Sequence, residues 1–290
     1  MTKKIYFASD FHLGIPDRQQ SLEREKKLVA WLDMARKDAA EIFLMGDLFD
    51  FWFEYKHTVP KGYSRLLGKL AEITDAGYRM QDAGCGMQDA GCGMQDAGSP
   101  IPNPQPLTPN PQPPIPIHLF RGNHDMWAFS YLQEETGISL HREPEFRTFN
   151  GKHFYLAHGD GLGPGDHGYK FIKKVFASRI NQWLFRLIHP DLGISMALFW
   201  SRKSRHAALQ KEKQEEERNL RLINERIAFH SKKIIQQHPE IDYLVYGHYH
   251  YPVETRITEK ATQVVLGDWL THFTYAVFDG EKLELKEFSL

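Results

Sequence analysis

Lys4-Ile5-Tyr6-Phe7-Ala8-Ser9-Asp10-Phe11-His12-Leu13-Gly14 decides how the rest of this chain is read. An apolar run from Ile5 to Ala8 stops at a carboxylate and an imidazole two positions apart. Such a run, bounded by polar residues, predicts a short buried strand. A period of two sends Asp10 and His12 to the same side, and the carboxyl ends of strands are where open α/β sheets bind ligands. A turn-forming Asp beside a surface His would explain the pair just as well if it stood alone.

Working outward, the pattern repeats. A helix is expected over about 21–38, a strand over Glu41 to Met45, a helix over about 63–74 and a strand over Ile115 to Phe120. This alternation predicts βαβ units with helices outside a buried sheet. Later segments look antiparallel, because Asn150-Gly151 and Asp279-Gly280 are hairpin signals between apolar runs.

The whole chain has 290 residues, 41% of them hydrophobic, with 36 Lys and Arg against 37 Asp and Glu. That balance excludes a disordered or fibrous chain and gives no global pull toward nucleic acid. Cys85 and Cys92 lie inside a repeat, so neither a disulfide framework nor a zinc cluster is expected. No apolar stretch approaches the roughly 20 residues of a membrane span. The amino-terminal run stops well short of a signal-peptide core, so the expected location is cytoplasmic.

Residues 78–114 depart from this plan. Met80-Gln81-Asp82-Ala83-Gly84-Cys85-Gly86 recurs over 87–93 and partly over 94–98, and nine of the sixteen prolines then crowd between Pro100 and Pro116. Such composition cannot fill a core and is read as a flexible repeat insertion in a surface loop.

Four more motifs close predicted strands: Gly46-Asp47-Leu48-Phe49-Asp50, Arg121-Gly122-Asn123-His124-Asp125, His158-Gly159-Asp160 and Gly247-His248-Tyr249-His250. Gly46 permits a tight turn and leaves room for an ion beside Asp47. The Asp47 carboxylate can bridge two cations, Asn123 offers an amide oxygen, and His124 can move a proton with Asp125 to orient it. Each motif alone is weak. Together, in this order, they supply every ligand of a two-metal site. Mixed Asp, Asn and His donors suit Mn²⁺, Fe²⁺ or Zn²⁺ better than Ca²⁺.

The set Asp-x-His, Gly-Asp, Gly-Asn-His-Asp, His-Gly-Asp and Gly-His-x-His resembles the calcineurin-like metallophosphoesterase superfamily over all of the chain outside the insertion. The resemblance implies an α/β fold, a two-sheet αββα sandwich built from 1–77 and 115–290, with a helical lid over 165–232. It also implies that Asp10, His12, Asp47 and His250 hold one divalent metal, while Asp47, Asn123, His158 and His248 hold a second. His124 is then the mobile histidine at the phosphoryl group, and Asn123 doubles as a substrate contact.

Between the fourth and fifth motifs, Ile172, Val175, Phe176, Ile180, Trp183, Leu184, Leu187 and Ile188 recur at helical spacing among Lys170, Lys173, Lys174, Arg179 and Arg186. Apolar and basic residues on one segment compose a surface for anionic lipid, although a helix merely packed on the core would share the pattern. The polar stretch from Lys211 to His230 reads as the lid's solvated return. With the aromatics Phe51 and Trp52 extending the second motif, the chain resembles the UDP-2,3-diacylglucosamine pyrophosphatases of lipid A synthesis. That likeness implies release of UMP from a lipid-linked nucleotide at the cytoplasmic face of the inner membrane. It makes Asp166 a substrate contact, and Arg202, Lys203 and Arg205 are candidates for the diphosphate. The motif Gly-Asn-His124-Asp departs from the Gly-Asn-Arg-Asp common in that family. An esterase for soluble nucleotides or phosphoproteins, or a scaffold without activity, are the alternatives.

Overall fold

The computed structural model describes residues 3–75, 113–162 and 173–289, with backbone alone at 200 and 202–223. Two sheets carry the fold. The first has six strands, β1 (Lys4–Ala8), β2 (Ala39–Leu44), β3 (Ile117–Phe120), β4 (Ser139–His141), β10 (Thr274–Phe278) and β11 (Leu283–Glu287), in the order β11-β10-β1-β2-β3-β4. The second has five, β5 (Glu145–Phe149), β6 (Lys152–Ala157), β7 (Tyr243–Tyr246), β8 (Pro252–Arg256) and β9 (Thr262–Leu266), in the order β5-β6-β7-β9-β8. Strands β1 to β4 pair in parallel through crossovers α1 (Arg18–Ala35), α2 (Ser64–Thr74) and α3 (Tyr131–Thr136).

The period of two sorts the layers. Ile5, Phe7 and Phe43 point inward to meet Phe154, Leu156, Val245 and Val264 of the other sheet. Tyr6, Ala8, Ile42 and Leu44 point outward under Leu28, Trp31 and Leu32 of α1 and Leu66 and Leu70 of α2. On the far side, Tyr155, Leu244 and Tyr246 pack against Ile227 near the end of a long helix. Helix, sheet, sheet and helix are therefore stacked in the expected αββα order.

Both predicted hairpins form. Asn150 and Gly151 take φ of 46° and 78°, the left-handed pair that a two-residue turn needs.

The segment between the fourth and fifth motifs departs from one unbroken amphipathic helix over 172–188 and a separate polar helix over 211–230. Residues 173–177 are helical, Ser178 is extended, and α4 (Arg179–Arg186) and α5 (Pro190–Gln237) follow. Pro190 starts α5 where its missing N–H costs nothing. The stretch read as a solvated return continues α5 without a break. Among its described side chains Ile227 is buried in the core, while Phe229 is exposed.

Most of the repeat insertion, residues 78–112, lies outside the described residues. Its flanks meet, since the Ile115 N–H donates to the Ile73 carbonyl at 3.1 Å. A chain lacking 78–114 therefore has only a short connection to make. We expect that deletion to leave the melting temperature within a few degrees of the parent, as read by circular dichroism, and the hydrolytic rate within about twofold.

Candidate metal centre

All five motifs converge at the carboxyl ends of β1, β2, β3, β6 and β7. The loops after β1 and β2 are laced together, with Asp10, His12 and Leu13 N–H donating to the Gly46, Asp47 and Leu48 carbonyls. Arg24, buried on α1, donates from Nη1 to the carbonyls of Phe11, His12 and Ile15, which fixes the first motif from behind.

The backbone here is not extended. Asp10, His12, Asp47, His248 and His250 have φ of 58°, 44°, 51°, 71° and 58°. Left-handed non-glycine residues cost on the order of 1–3 kcal/mol each and persist only where packing over-determines them. Their concentration in the predicted ligands marks the functional centre. It also corrects the period-of-two argument, because Asp10 and His12 meet through left-handed turns after the strand has ended.

Three donor groups form among the described residues, one of them His12, Asp50 and His124 around the Asp50 carboxylate, and the other two hold the predicted ligands. Asp10, His12 and His250 bring ligand atoms together, as do Asp47, His158 and His248. Asp47 Oδ2 stands between them, 3.7 Å from His12 Nε2 and 3.4 Å from His158 Nε2. Asn123 Oδ1 lies 3.3 Å from His158 Nε2, which adds the amide to the second group. Asp10 Oδ1 and Asp47 Oδ2 are buried oxygens that accept no hydrogen bond. Buried carboxylate oxygens without donors are costly unless something positive meets them, so these donors fit a pair of divalent cations.

The imidazoles are aimed from outside. His12 Nδ1 lies 3.3 Å from Asp50 Oδ1, His158 Nδ1 2.8 Å from the Met45 carbonyl, and His250 Nδ1 3.3 Å from Asp268 Oδ2. Each outer nitrogen meets an oxygen, which leaves Nε2 for the centre, the arrangement that orients metal-binding histidines.

The electrostatics report the same crowding. Burial would lower the His158 pKa, but Asp47 and Asp10 beside it lift it to about 10. Burial holds His248 down to about 3. Burial and the Asp47 charge together push Asp125 up to about 6.

Asp125 does not orient His124. Its carboxylate accepts from the Gly122 and Leu48 N–H at 2.7 and 2.8 Å and so pins the third motif to the second. The His124 Nδ1 instead faces the Asp50 carbonyl at 2.9 Å, with Asp50 Oδ1 at 3.7 Å. Asp125 is three residues from the Gly122 N–H and is buried against the Leu48 N–H of the second motif, and a short carboxylate satisfies those before it can reach the ring.

Asp50 and Asp268 are the functional side chains that sequence reading passed over. Asp50 was visible as the second acid of Gly-Asp-x-x-Asp, and Asp268 ends an apolar strand after Gly267, the signal used for the other motifs. Arg24 gave no such sign. Asp166 lies outside the described residues, as do the side chains of Arg202, Lys203 and Arg205.

Gly46 makes room for a side chain rather than an ion, since a Cβ there would stand 2.4 Å from His158 Nδ1. At Gly122 a Cβ would lie 2.0 Å from Asp47 Oδ1 and 2.5 Å from its backbone nitrogen. Neither neighbour is a flexible chain end. Gly122→Ala is expected to cost about 1–3 kcal/mol of stability by overpacking and to displace Asp47, lowering bound metal in elemental analysis well below stoichiometric.

Beside the centre, Phe51, Phe53, Tyr55 and Trp127 form an aromatic cluster on which Phe185 of α4 and Ile194, Ala197 and Leu198 of α5 pack. The opposite face of these helices is open. Ile180, Leu187, Phe199 and Trp183 are 71%, 66%, 64% and 59% exposed, so the helices pack on the cluster by one face and leave an apolar face uncovered.

A family profile described as calcineurin-like phosphoesterase matches residues 3–252. The UDP-2,3-diacylglucosamine hydrolase of Porphyromonas gingivalis is 32% identical over 296 residues, covering 99% of this chain and 98% of the relative. The protein of the same name from Vibrio atlanticus is 23% identical over 295 residues, covering 99% and 98%. Among solved structures, the E. coli phosphoesterase Yfce aligns with 98% of this chain and 92% of its own at 14% identity and a TM-score of 0.39, a likeness on which nothing further rests.

Proposed function

The chain belongs to the calcineurin-like phosphoesterase family, and from that premise we propose that it hydrolyses the diphosphate of UDP-2,3-diacylglucosamine, giving UMP and 2,3-diacylglucosamine 1-phosphate. The observation that carries the reading is a relative of that activity, 32% identical along 99% of the chain. It is a metal-dependent hydrolase.

Asp10, His12, Asp47 and His250 would hold one divalent cation, and Asp47, Asn123, His158 and His248 a second. Such a pair supplies the charge that activates water and neutralises phosphoryl oxygens during in-line displacement. We assign Mn²⁺, with Fe²⁺ or Zn²⁺ as substitutes, because the donors mix imidazole with carboxylate and amide oxygen and include no thiolate. Everything else falls to the side chains. The Asp50 carbonyl can only accept, so His124 Nδ1 carries the hydrogen of their contact. His124 Nε2 is then the atom that gives a proton to the departing phosphate oxygen. Asp125 holds the second and third motif loops together, which keeps Asn123 and His124 in register with Asp47.

The helical region from 165 to 232 acts as a lid for the acyl chains. Asp166 is assigned as a substrate contact from the family resemblance, and Arg202, Lys203 and Arg205 as contacts to the diphosphate or uridine, an assignment that rests on charge and chain position. The exposed Ile180, Trp183 and Leu187 with Lys173, Lys174, Arg179 and Arg186 compose a face for anionic lipid. Among the described residues no helix is long and apolar enough to cross a membrane. We therefore propose peripheral contact with the cytoplasmic face of the inner membrane.

The test is metal analysis with Mn²⁺-dependent release of UMP from UDP-2,3-diacylglucosamine, beside flotation with vesicles containing phosphatidylglycerol. Stoichiometric metal with rapid UMP release supports the reading. Turnover of soluble esters alone would move the assignment to a nucleotide or phosphoprotein esterase, and failure to float would remove the membrane contact.

A further inference from the structure

We propose that Ser201, carried on α5, is a positioning residue that ties the seating of the lid helices to the histidines of the reaction centre. The inference rests on the metal-dependent hydrolase reading above and not on the choice of lipid substrate.

Ile194, Ala197, Leu198 and Ser201 stand at i, i+3, i+4 and i+7, one face of a helix. The first three pack on the aromatic cluster of Phe51, Phe53, Tyr55 and Trp127. The next position on such a face is expected to carry another aliphatic side chain. A serine stands there instead, and its hydroxyl donates to Asp50 Oδ2.

Asp50 is 1% exposed. Its other carboxylate oxygen lies 3.3 Å from His12 Nδ1 and 3.7 Å from His124 Nδ1. One buried carboxylate thus meets the lid helix through one oxygen and both imidazoles through the other. His12 belongs to the first donor group, and His124 is the proton donor.

A carboxylate engaged at both oxygens cannot turn about its last bond without losing a partner. Removing the serine hydroxyl leaves Oδ2 buried without that donor, an expensive state. Asp50 then rotates toward whatever donor it can reach, and rotation carries Oδ1 away from His12 and His124. The geometry of both rings is therefore correct only while α5 sits on the aromatic cluster. Because apolar packing holds Ile194, Ala197 and Leu198 in place, loss of one hydroxyl disturbs the rings without unseating the helix.

The experiment uses the full chain loaded with Mn²⁺, as Ser201→Ala and Ser201→Thr. Substrates are UDP-2,3-diacylglucosamine and bis(p-nitrophenyl) phosphate, a small diester. Metal content, melting temperature and the histidine ring ¹H–¹⁵N signals of the metal-free protein are recorded for each. Alanine is expected to lower kcat about five- to twentyfold on both substrates with KM within about twofold and metal content unchanged. Threonine, which keeps the hydroxyl, is expected to restore most of the rate. The His12 and His124 ring signals should move in the alanine variant and return in the threonine variant.

A raised KM for the lipid nucleotide with kcat intact would make Ser201 a substrate contact and overturn the proposal. Ring signals that stay in place overturn it whatever the rates do. A parent protein that turns over only the small diester sinks the substrate reading, while the alanine and threonine comparison on that diester still decides the role of Ser201. If the parent turns over neither, the ring spectra decide it.

Discussion

Asp47→Ala is expected to abolish hydrolysis, by at least about a thousandfold in kcat/KM, and to strip both metals. Losing a group that merely orients a metal ligand typically costs 10- to 100-fold, and Asp47 is the ligand proposed to be shared by both cations. Its Oδ2 lies 3.7 Å from His12 Nε2 and 3.4 Å from His158 Nε2, and its Oδ1 accepts the His124 N–H. The same substitution is expected to lower the stability of the metal-free fold. Burial alone would raise the Asp47 carboxyl, but His158, His124 and His12 around it hold it well below the usual carboxylate range, and losing that pairing outweighs the relief of repulsion on Asp10 and Asp125. Elemental analysis should find less than one metal per chain, with a metal-free melting temperature below that of the parent. A variant that keeps two metals would show that Asp47 is not shared.

Metal uptake also has a sign with pH. In the metal-free chain His158 holds its proton up to about 10 because Asp47 lies beside it. A cation bound at lower pH must displace that proton, so affinity should rise with pH through the neutral range. The metal-free Asp47→Ala variant loses the partner that raises His158, and that ring should titrate at lower pH than in the parent.

His124→Ala is expected to lower kcat by about 10² to 10⁴, the usual worth of a positioned proton donor, while leaving two metals in place. Its ring is 23% exposed, and it belongs neither to the group of Asp10, His12 and His250 nor to that of Asp47, His158 and His248. The deficit should shrink on aryl esters whose leaving groups depart without a proton. Comparing alkyl and nitrophenyl esters by kcat, with metal content measured on the same samples, separates the two roles. Equal metal loss in Asp47→Ala and His124→Ala would refute this division of labour.

The candidate ligands were legible because each motif is local. A short apolar run, a glycine or turn and a polar side chain announce themselves within six or seven residues, as at Tyr6 to His12 or Tyr243 to His250. The same alternation announced the βαβ units, whereas the αββα layering came from the family resemblance and the strand order only from the structure. What failed involved choosing between neighbours. Asp125 and Asp50 both stand near His124, and spacing favoured the adjacent residue. The backbone N–H of Gly122 and Leu48 claimed Asp125 first, leaving the ring to a carbonyl 74 positions away.

By itself, then, the sequence determined which residue types meet at the strand ends and in what order, since strand and turn propensities act over a few residues. It could not determine that Asp10 and His12 reach the centre through left-handed turns, or that Asp50 serves His12, His124 and a serine 151 residues away. Those are properties of packed loops. Closing two sheets brings together donors and acceptors that are far apart in the chain, and the burial of each carboxylate decides which partner it must take.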